Sequence, residues 1–371
     1  MSTNADILPD IATLSAEAPT GQLSDDLASE FRGLMRERGA VRLRGFTASA
    51  EQFLTLSDQF GQDWLPYRHG RRQRVLDPQV KVQLANAGHH AMAPHSELCY
   101  LPLQPRLAWF YCEQTGQGAG ATTLVDGAAL AARFGPELLE LFEHRTLRYQ
   151  RNMSLADACS LYDAPDAAAL AQKIRDAGWQ DVLCVAGRRL IQDLRVPALP
   201  RHPETGQSVF VNQLLFNASL KPWALSIARQ LGAVENPRSR VTRLLNRLAA
   251  VTRTQAGRGL AATPTLEGVG TVPAWAIRQL DALARALTVR VVWQSGDVLV
   301  FDNLRFLHGR EAFRGSERRI LTRFGAPAWL PAKQTAAQTD RTRLTDQMCQ
   351  MDRTDRTDRA AGTDNAAVEK A

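Results

Sequence analysis

Apolar residues recur every third or fourth position from 23 to 38, which predicts a helix, and Val41-Arg-Leu-Arg44 then alternates until Gly45 closes a short strand. A second helix is predicted over 51–60, and the segment 61–78 is irregular, basic and marked by Gly and Pro. Strands follow at 80–85 and 107–112, both apolar or aromatic and bounded by Pro or Gly. From 128 to 285 helical spacing (137–143, 166–177, 224–231, 273–286) mixes with strand-like pieces such as 189–193, and the whole reads as an insertion. Beyond it, 288–293, 297–301 and 319–324 predict three strands with short polar connections, as one antiparallel sheet needs.

These elements predict one domain over 1–332, mainly β with helical additions. Early strands (38–127) and late strands (286–330) close a sandwich around a helical insertion (128–285). From 333 to 371 the chain turns to Thr, Asp, Arg, Gln and Ala, with Asp-Arg-Thr recurring at 340, 352 and 355, and a disordered polar tail is expected.

Composition narrows the function classes. A 371-residue chain with 44% hydrophobic and 22% charged residues is not disordered throughout. Its most apolar stretch, 98–112, is broken by Pro102, Gln104, Pro105 and Arg106, so no membrane span is expected. The net charge of +7 is spread along the chain against nearly as many acids, and nucleic acid is not implied. The densest basic stretch runs from Arg238 to Arg258 with apolar residues at helical spacing, which suits either a solvated helix face or a docking face for an acidic carrier protein. Five cysteines without a CxxC pair indicate neither a disulfide framework nor a thiolate zinc site, and the first thirty residues hold acids but no Lys or Arg. Both point to a cytoplasmic protein.

Two of the seven histidines stand in settings suited to a metal: Pro94-His95-Ser96-Glu97, and His308-Gly-Arg310. In an extended strand His95 and Glu97 project to one face, and His308 would complete two imidazoles and a carboxylate, a facial set that binds iron(II) and leaves three positions open. Arg319 and Arg323 follow His308 by eleven and fifteen residues, an even difference that puts both guanidinium groups on one face of the last strand, where either can hold a carboxylate.

Together with Arg38-Gly-Ala-Val-Arg-Leu-Arg-Gly-Phe46, Gly120-Ala-Thr-Thr-Leu-Val-Asp-Gly127, His202-Pro-Glu-Thr-Gly206 leading to Val211-Asn-Gln213, and Trp293-Gln-Ser-Gly-Asp-Val-Leu-Val-Phe-Asp-Asn303, these motifs carry a resemblance. The chain resembles the iron(II)- and 2-oxoglutarate-dependent dioxygenases of the taurine dioxygenase and clavaminate synthase-like group from about residue 38 to 329.

The resemblance implies a double-stranded β-helix, or jelly roll, holding Fe(2+) and using 2-oxoglutarate and O2 as cosubstrates. It implies His95, Glu97 and His308 as iron ligands, Thr122 (or Thr123, since Gly118-Ala-Gly120 offers two registers) and Arg319 on the 2-oxoglutarate carboxylate, and Arg323, Asn86 and Asn212 as substrate contacts. The implied reaction couples decarboxylation to succinate with hydrogen abstraction from a small-molecule substrate. Glu97 fills the position that halogenating members leave to chloride, so hydroxylation or desaturation of an amino acid or amino-acid-derived compound is expected. A metal-dependent hydrolase and a non-catalytic jelly-roll binding protein are the competing readings, and neither accounts for Arg319.

Overall fold

The computed structural model describes residues 11–65, 75–77, 82–85, 91–100, 104–116, 120–162, 164–176, 184–186, 189–216, 264–313 and 318–330. The expected helix at 224–231, the basic stretch at 238–258, Asn86 and the tail at 333–371 lie outside these residues.

Strand β1 (Ala12–Ser15) precedes helix α1 (Asp25–Arg38), which has acids in its first turn and Arg36 and Arg38 in its last, matching the helix dipole at both ends. It stops at Gly39, whose φ of 72° is left-handed and whose N–H returns to the Met35 carbonyl. The chain enters β2 (Ala40–Arg44), then α2 (Ala50–Asp58), whose first turn is capped by the Ser49 side chain accepting from the Gln52 N–H. Short strands β3 (Gly61–Gln62), β4 (Val75–Asp77), β5 (Val82–Ala85) and β6 (Met92–His95) lead to the long β7 (Leu107–Gln114) and to β8 (Thr122–Asp126).

The segment expected to be a helical insertion also carries a sheet of its own. Helices α3 (Gly127–Ala132), α4 (Pro136–Phe142), α5 (Leu155–Tyr162) and α6 (Ala167–Asp176) accompany β9 (Thr146–Ser154), β10 (Cys184–Ala186), β11 (Arg189–Pro197), β12 (Thr265–Leu266) and β13 (Gly270–Thr271). After α7 (Ala274–Ala286) come β14 (Val289–Val291), β15 (Val298–Asp302), β16 (Phe306–Arg310) and β17 (Arg319–Pro327).

Among the described residues the main sheet has eight strands in the order β1-β2-β15-β7-β17-β5-β4, with β3 on β17. A four-stranded sheet, β14-β8-β16-β6, packs against it. The three late strands are therefore not neighbours in one sheet, as their short connections had suggested: β15 and β17 flank β7, while β14 joins β8. This interleaving of early and late strands in two facing sheets is the jelly roll.

Alternation assigns the layers. From β7 and β15, Trp109, Tyr111, Val298 and Val300 point outward against Phe31, Phe53 and Leu56 of α1 and α2. Ala108, Phe110, Leu299 and Phe301 point inward, where they meet Leu124 and Phe306 of the smaller sheet. That sheet is itself covered behind, since Val125 and Leu307 join the insertion core around Phe142, Tyr149 and Phe210. No helix among the described residues is long and apolar enough to cross a membrane.

Candidate metal and cosubstrate site

The inner face of the smaller sheet carries the polar cluster. His308 on β16 sits opposite His95 at the end of β6, with ring centroids 4.3 Å apart. Close approach of these strands requires Gly309, because a Cβ there would lie 2.6 Å from the Met92 carbonyl oxygen. Glu97 brings Oε2 to 3.7 Å from His95 Nε2, and one ligand atom from each of His95, Glu97 and His308 lies within 4.8 Å of the others. Strand alternation is not what joins His95 to Glu97. The strand ends at His95, and Glu97 stands in a turn whose next residue, Leu98, has φ 52°.

The donor chemistry suits a divalent transition metal. All three side chains are buried, and His95 Nδ1 lies 3.0 Å from the Ala93 carbonyl, which occupies that nitrogen and leaves Nε2 on the side of Glu97. His308 is packed between Phe110 and Phe301, and burial, then the neighbouring His95, holds its pKa well below the usual histidine value. Its Nδ1 is buried with no hydrogen-bond partner among the described residues. Two neutral imidazoles and one carboxylate are the set that iron(II) takes in oxygenases.

One pleat beyond His308 lies Arg310, and opposite it on β8 lies Thr122, buried and accepting from Trp293 Nε1 at 3.1 Å. Thr123 takes the other face of β8, so the structure separates the two threonines that the sequence left open. Arg318 comes in from the residue before β17, donating to the Gly120 carbonyl at 3.1 Å, and both guanidinium groups lie over the Phe313 ring. Burial lowers the pKa of each to about 10, and the charge of Arg318 adds to the effect on Arg310. Arg318, with Gly120, Trp293 and Ile320, lines a cleft of about 230 Å³, and its guanidinium suits an incoming carboxylate.

Arg319 and Arg323 do share a face of β17, but it is the outer one. Arg319 is half-exposed and paired with Glu113. Arg323 is buried under α2, donating to Ser57 Oγ at 2.6 Å and Asp58 Oδ1 at 2.9 Å with its guanidinium 3.9 Å from the Trp64 ring centroid. Ile320 and Phe324 occupy the inner face, so alternation turns the two arginines away from His308.

The sequence profile of the taurine catabolism dioxygenase TauD, TfdA family matches residues 6–324. The chain belongs to that family. It is 24% identical over 310 residues to the dapdiamide synthesis protein DdaC of Enterobacter agglomerans, covering 81% of this chain and 86% of that one. It is 26% identical over 306 residues to a clavaminate synthase-like protein of Arabidopsis thaliana, covering 78% and 82%. A solved taurine dioxygenase from Burkholderia xenovorans shares the fold with a TM-score of 0.51 at 14% identity, covering 86% of this chain and 87% of that one.

As a TauD/TfdA-family protein it is a 2-oxoglutarate-dependent dioxygenase that uses iron(II), which sets aside the hydrolase and binding-module readings. The remaining expected contact, Asn212, is buried beside the metal turn. Its carbonyl accepts from Ser96 N–H, its Oδ1 accepts from Leu214 N–H, and its Nδ2 has no hydrogen-bond partner among the described residues. Sequence reasoning passed over four neighbours of the site: Arg318, Arg310, Phe216, whose ring lies 4.9 Å from His95, and Asn303. Arg310 and Asn303 carried a signal as members of the quoted motifs, and Arg318 as a cation next to Arg319, whereas Phe216 carried none. Cys99, two residues past Glu97, is buried with Sγ 3.9 Å from the Tyr149 hydroxyl.

Proposed function

We propose that His95, Glu97 and His308 hold the iron, that Thr122 and Arg318 receive the distal carboxylate of 2-oxoglutarate with Arg310 adding positive charge, and that the enzyme hydroxylates or desaturates an unactivated carbon of an amino acid or amino-acid-derived small molecule. The observation that carries the reading is the arrangement of these groups: imidazoles and carboxylate in one cluster, Thr122 and Arg310 one pleat away on the smaller sheet, and Arg318 reaching the Gly120 carbonyl from the start of β17. Arg318 replaces Arg319 in this role because it is the one turned inward.

Bound iron(II) and 2-oxoglutarate would supply, with O2 as the four-electron oxidant, oxidation of a C–H bond coupled to decarboxylation to succinate. The protein supplies the placement. Neutral His308 and Nε2 of His95 present lone pairs, the Phe110 and Phe301 rings exclude water behind them, and Arg318 and Thr122 fix the far end of the cosubstrate.

The similarity to a dapdiamide synthesis protein supports a place in specialised-metabolite biosynthesis. The free Nδ2 of Asn212 offers a polar substrate group a donor. A carrier-tethered substrate is the variant that the basic stretch at 238–258 would serve. The free thiols of Cys99, Cys112 and Cys159 suit the reducing cytoplasm.

Anaerobic addition of iron(II) and 2-oxoglutarate tests the assignment: a weak visible charge-transfer band is expected from the wild type and none from His308→Ala. The same band in both proteins would remove these ligands from consideration.

A further inference from the structure

The two histidines of the cluster are held by the β6–β16 ladder, but the carboxylate is not. The strand stops at His95, and among the described residues the β6–β16 pairing does not extend to the buried Glu97. A buried peptide N–H and C=O need partners, and leaving them unpaired is costly. Asn303 provides both. Its Oδ1 accepts from the Glu97 N–H at 2.9 Å while its Nδ2 donates to the Glu97 carbonyl at 2.8 Å, so one side-chain amide satisfies both backbone groups of one residue as a neighbouring strand would. The second Nδ2 hydrogen goes to the Pro105 carbonyl at 2.9 Å.

The clamp is itself anchored. Asn303 is completely buried, Ser96 Oγ donates to its carbonyl at 2.8 Å, and Gln104 Nε2 donates to Ser96 Oγ at 3.0 Å. On the far side, Asn212 accepts from the Ser96 N–H. Directly after Glu97 the backbone enters the left-handed region at Leu98, a conformation that a leucine keeps only when its surroundings over-determine it. These bonds converge on one turn, and that turn aims one ligand.

We propose that Asn303 is the positioning residue for the metal site: it sets the direction of the Glu97 carboxylate, and its contribution to metal affinity passes through that one ligand. The inference rests on the metal assignment above. It treats the third ligand as separately adjustable from the histidine pair, because different elements hold them.

The test is cobalt(II) alone, titrated into the metal-free full-length protein and followed by its visible d–d absorption well below every variant's melting temperature. Asn303→Ala should weaken cobalt binding at least tenfold and alter the spectrum at saturation. Arg323→Leu, which loosens the opposite face of the main sheet, should lower the melting temperature and leave both cobalt readouts as in wild type. Asn303→Asp keeps the shape and the acceptor but cannot donate to the Glu97 and Pro105 carbonyls, so it should behave as Asn303→Ala and serves if that variant does not fold. Unchanged affinity and spectrum in the Asn303 variants, or an equal loss in Arg323→Leu, would overturn the proposal. Unchanged cobalt binding in Glu97→Ala would instead overturn the metal assignment beneath it.

Discussion

Arg318 and Arg319 are consecutive in the chain and serve opposite sides of the main sheet. Arg318 reaches inward to the Gly120 carbonyl and the Phe313 ring, whereas Arg319 turns outward to Glu113. A single residue of register decides which guanidinium shares a compartment with His308.

Replacing Arg318 with Leu should therefore weaken 2-oxoglutarate binding at least tenfold, since a charge-assisted pairing is typically worth ~1.5–3 kcal/mol. Arg319→Leu should change it by no more than about twofold, as expected for a half-exposed ion pair. Anaerobic 2-oxoglutarate titrations of the iron-loaded proteins compare the two, and a larger effect at Arg319 would reverse the assignment.

Arg323 should affect stability and leave catalysis alone. Arg323→Leu removes the bonds to Ser57 and Asp58 and the contact with Trp64, while Asp58 itself remains accessible to water, so the cost should be about 1–3 kcal/mol. Chemical denaturation measures it. A rise in the KM for 2-oxoglutarate or substrate, in protein that is still folded, would return Arg323 to the site.

The mainly β core and the clustering of His95, Glu97 and His308 were legible in the sequence for a physical reason. Strands buried on both faces, such as β7 and β15, read as unbroken apolar runs, and histidines are few enough for two motifs to stand out. The inward arginine was not legible, because alternation groups 319 with 321 and 323 without saying which group faces in. Both groups are buried, Leu321 under the helices and Ile320 and Phe324 between the sheets. The turn that carries Glu97 was equally hidden, since its partner Asn303 lies 206 residues away in sequence. Strands β8 and β16 were hidden because ligands and threonines interrupt their apolar pattern, and the extended segment at His95 ends before Glu97.

The Asn212 side chain, as distinct from the carbonyl that supports Ser96, should act on substrate alone. Removing its free Nδ2 by Asn212→Ala should raise the substrate KM about fivefold or more, in line with loss of one buried hydrogen bond. Cobalt and 2-oxoglutarate affinities should stay as in wild type. Steady-state succinate formation provides the readout, and a change confined to metal affinity would make Asn212 part of the turn's scaffold.

Glu97 should decide the kind of product. With a carboxylate in the third ligand position, mass spectra of products formed in excess chloride should show added oxygen or loss of two hydrogens and no chlorine. Glu97→Ala should abolish turnover, because one anionic ligand fewer weakens the metal and the surrounding groups are not arranged around a halide. A chlorinated product from the unaltered enzyme would contradict the role given to Glu97.

The buried thiol of Cys99 bears on how such a site survives its own chemistry. Burial lifts its pKa to about 12, so its surroundings favour the thiol over the thiolate that peroxides and electrophiles attack. Reduced oxygen species released when a turnover miscarries would thus meet, beside the metal turn, a sulfur held in its unreactive form. The apolar packing that surrounds the loop thus disfavours sulfenic acid, the first rung of cysteine oxidation, at this sulfur.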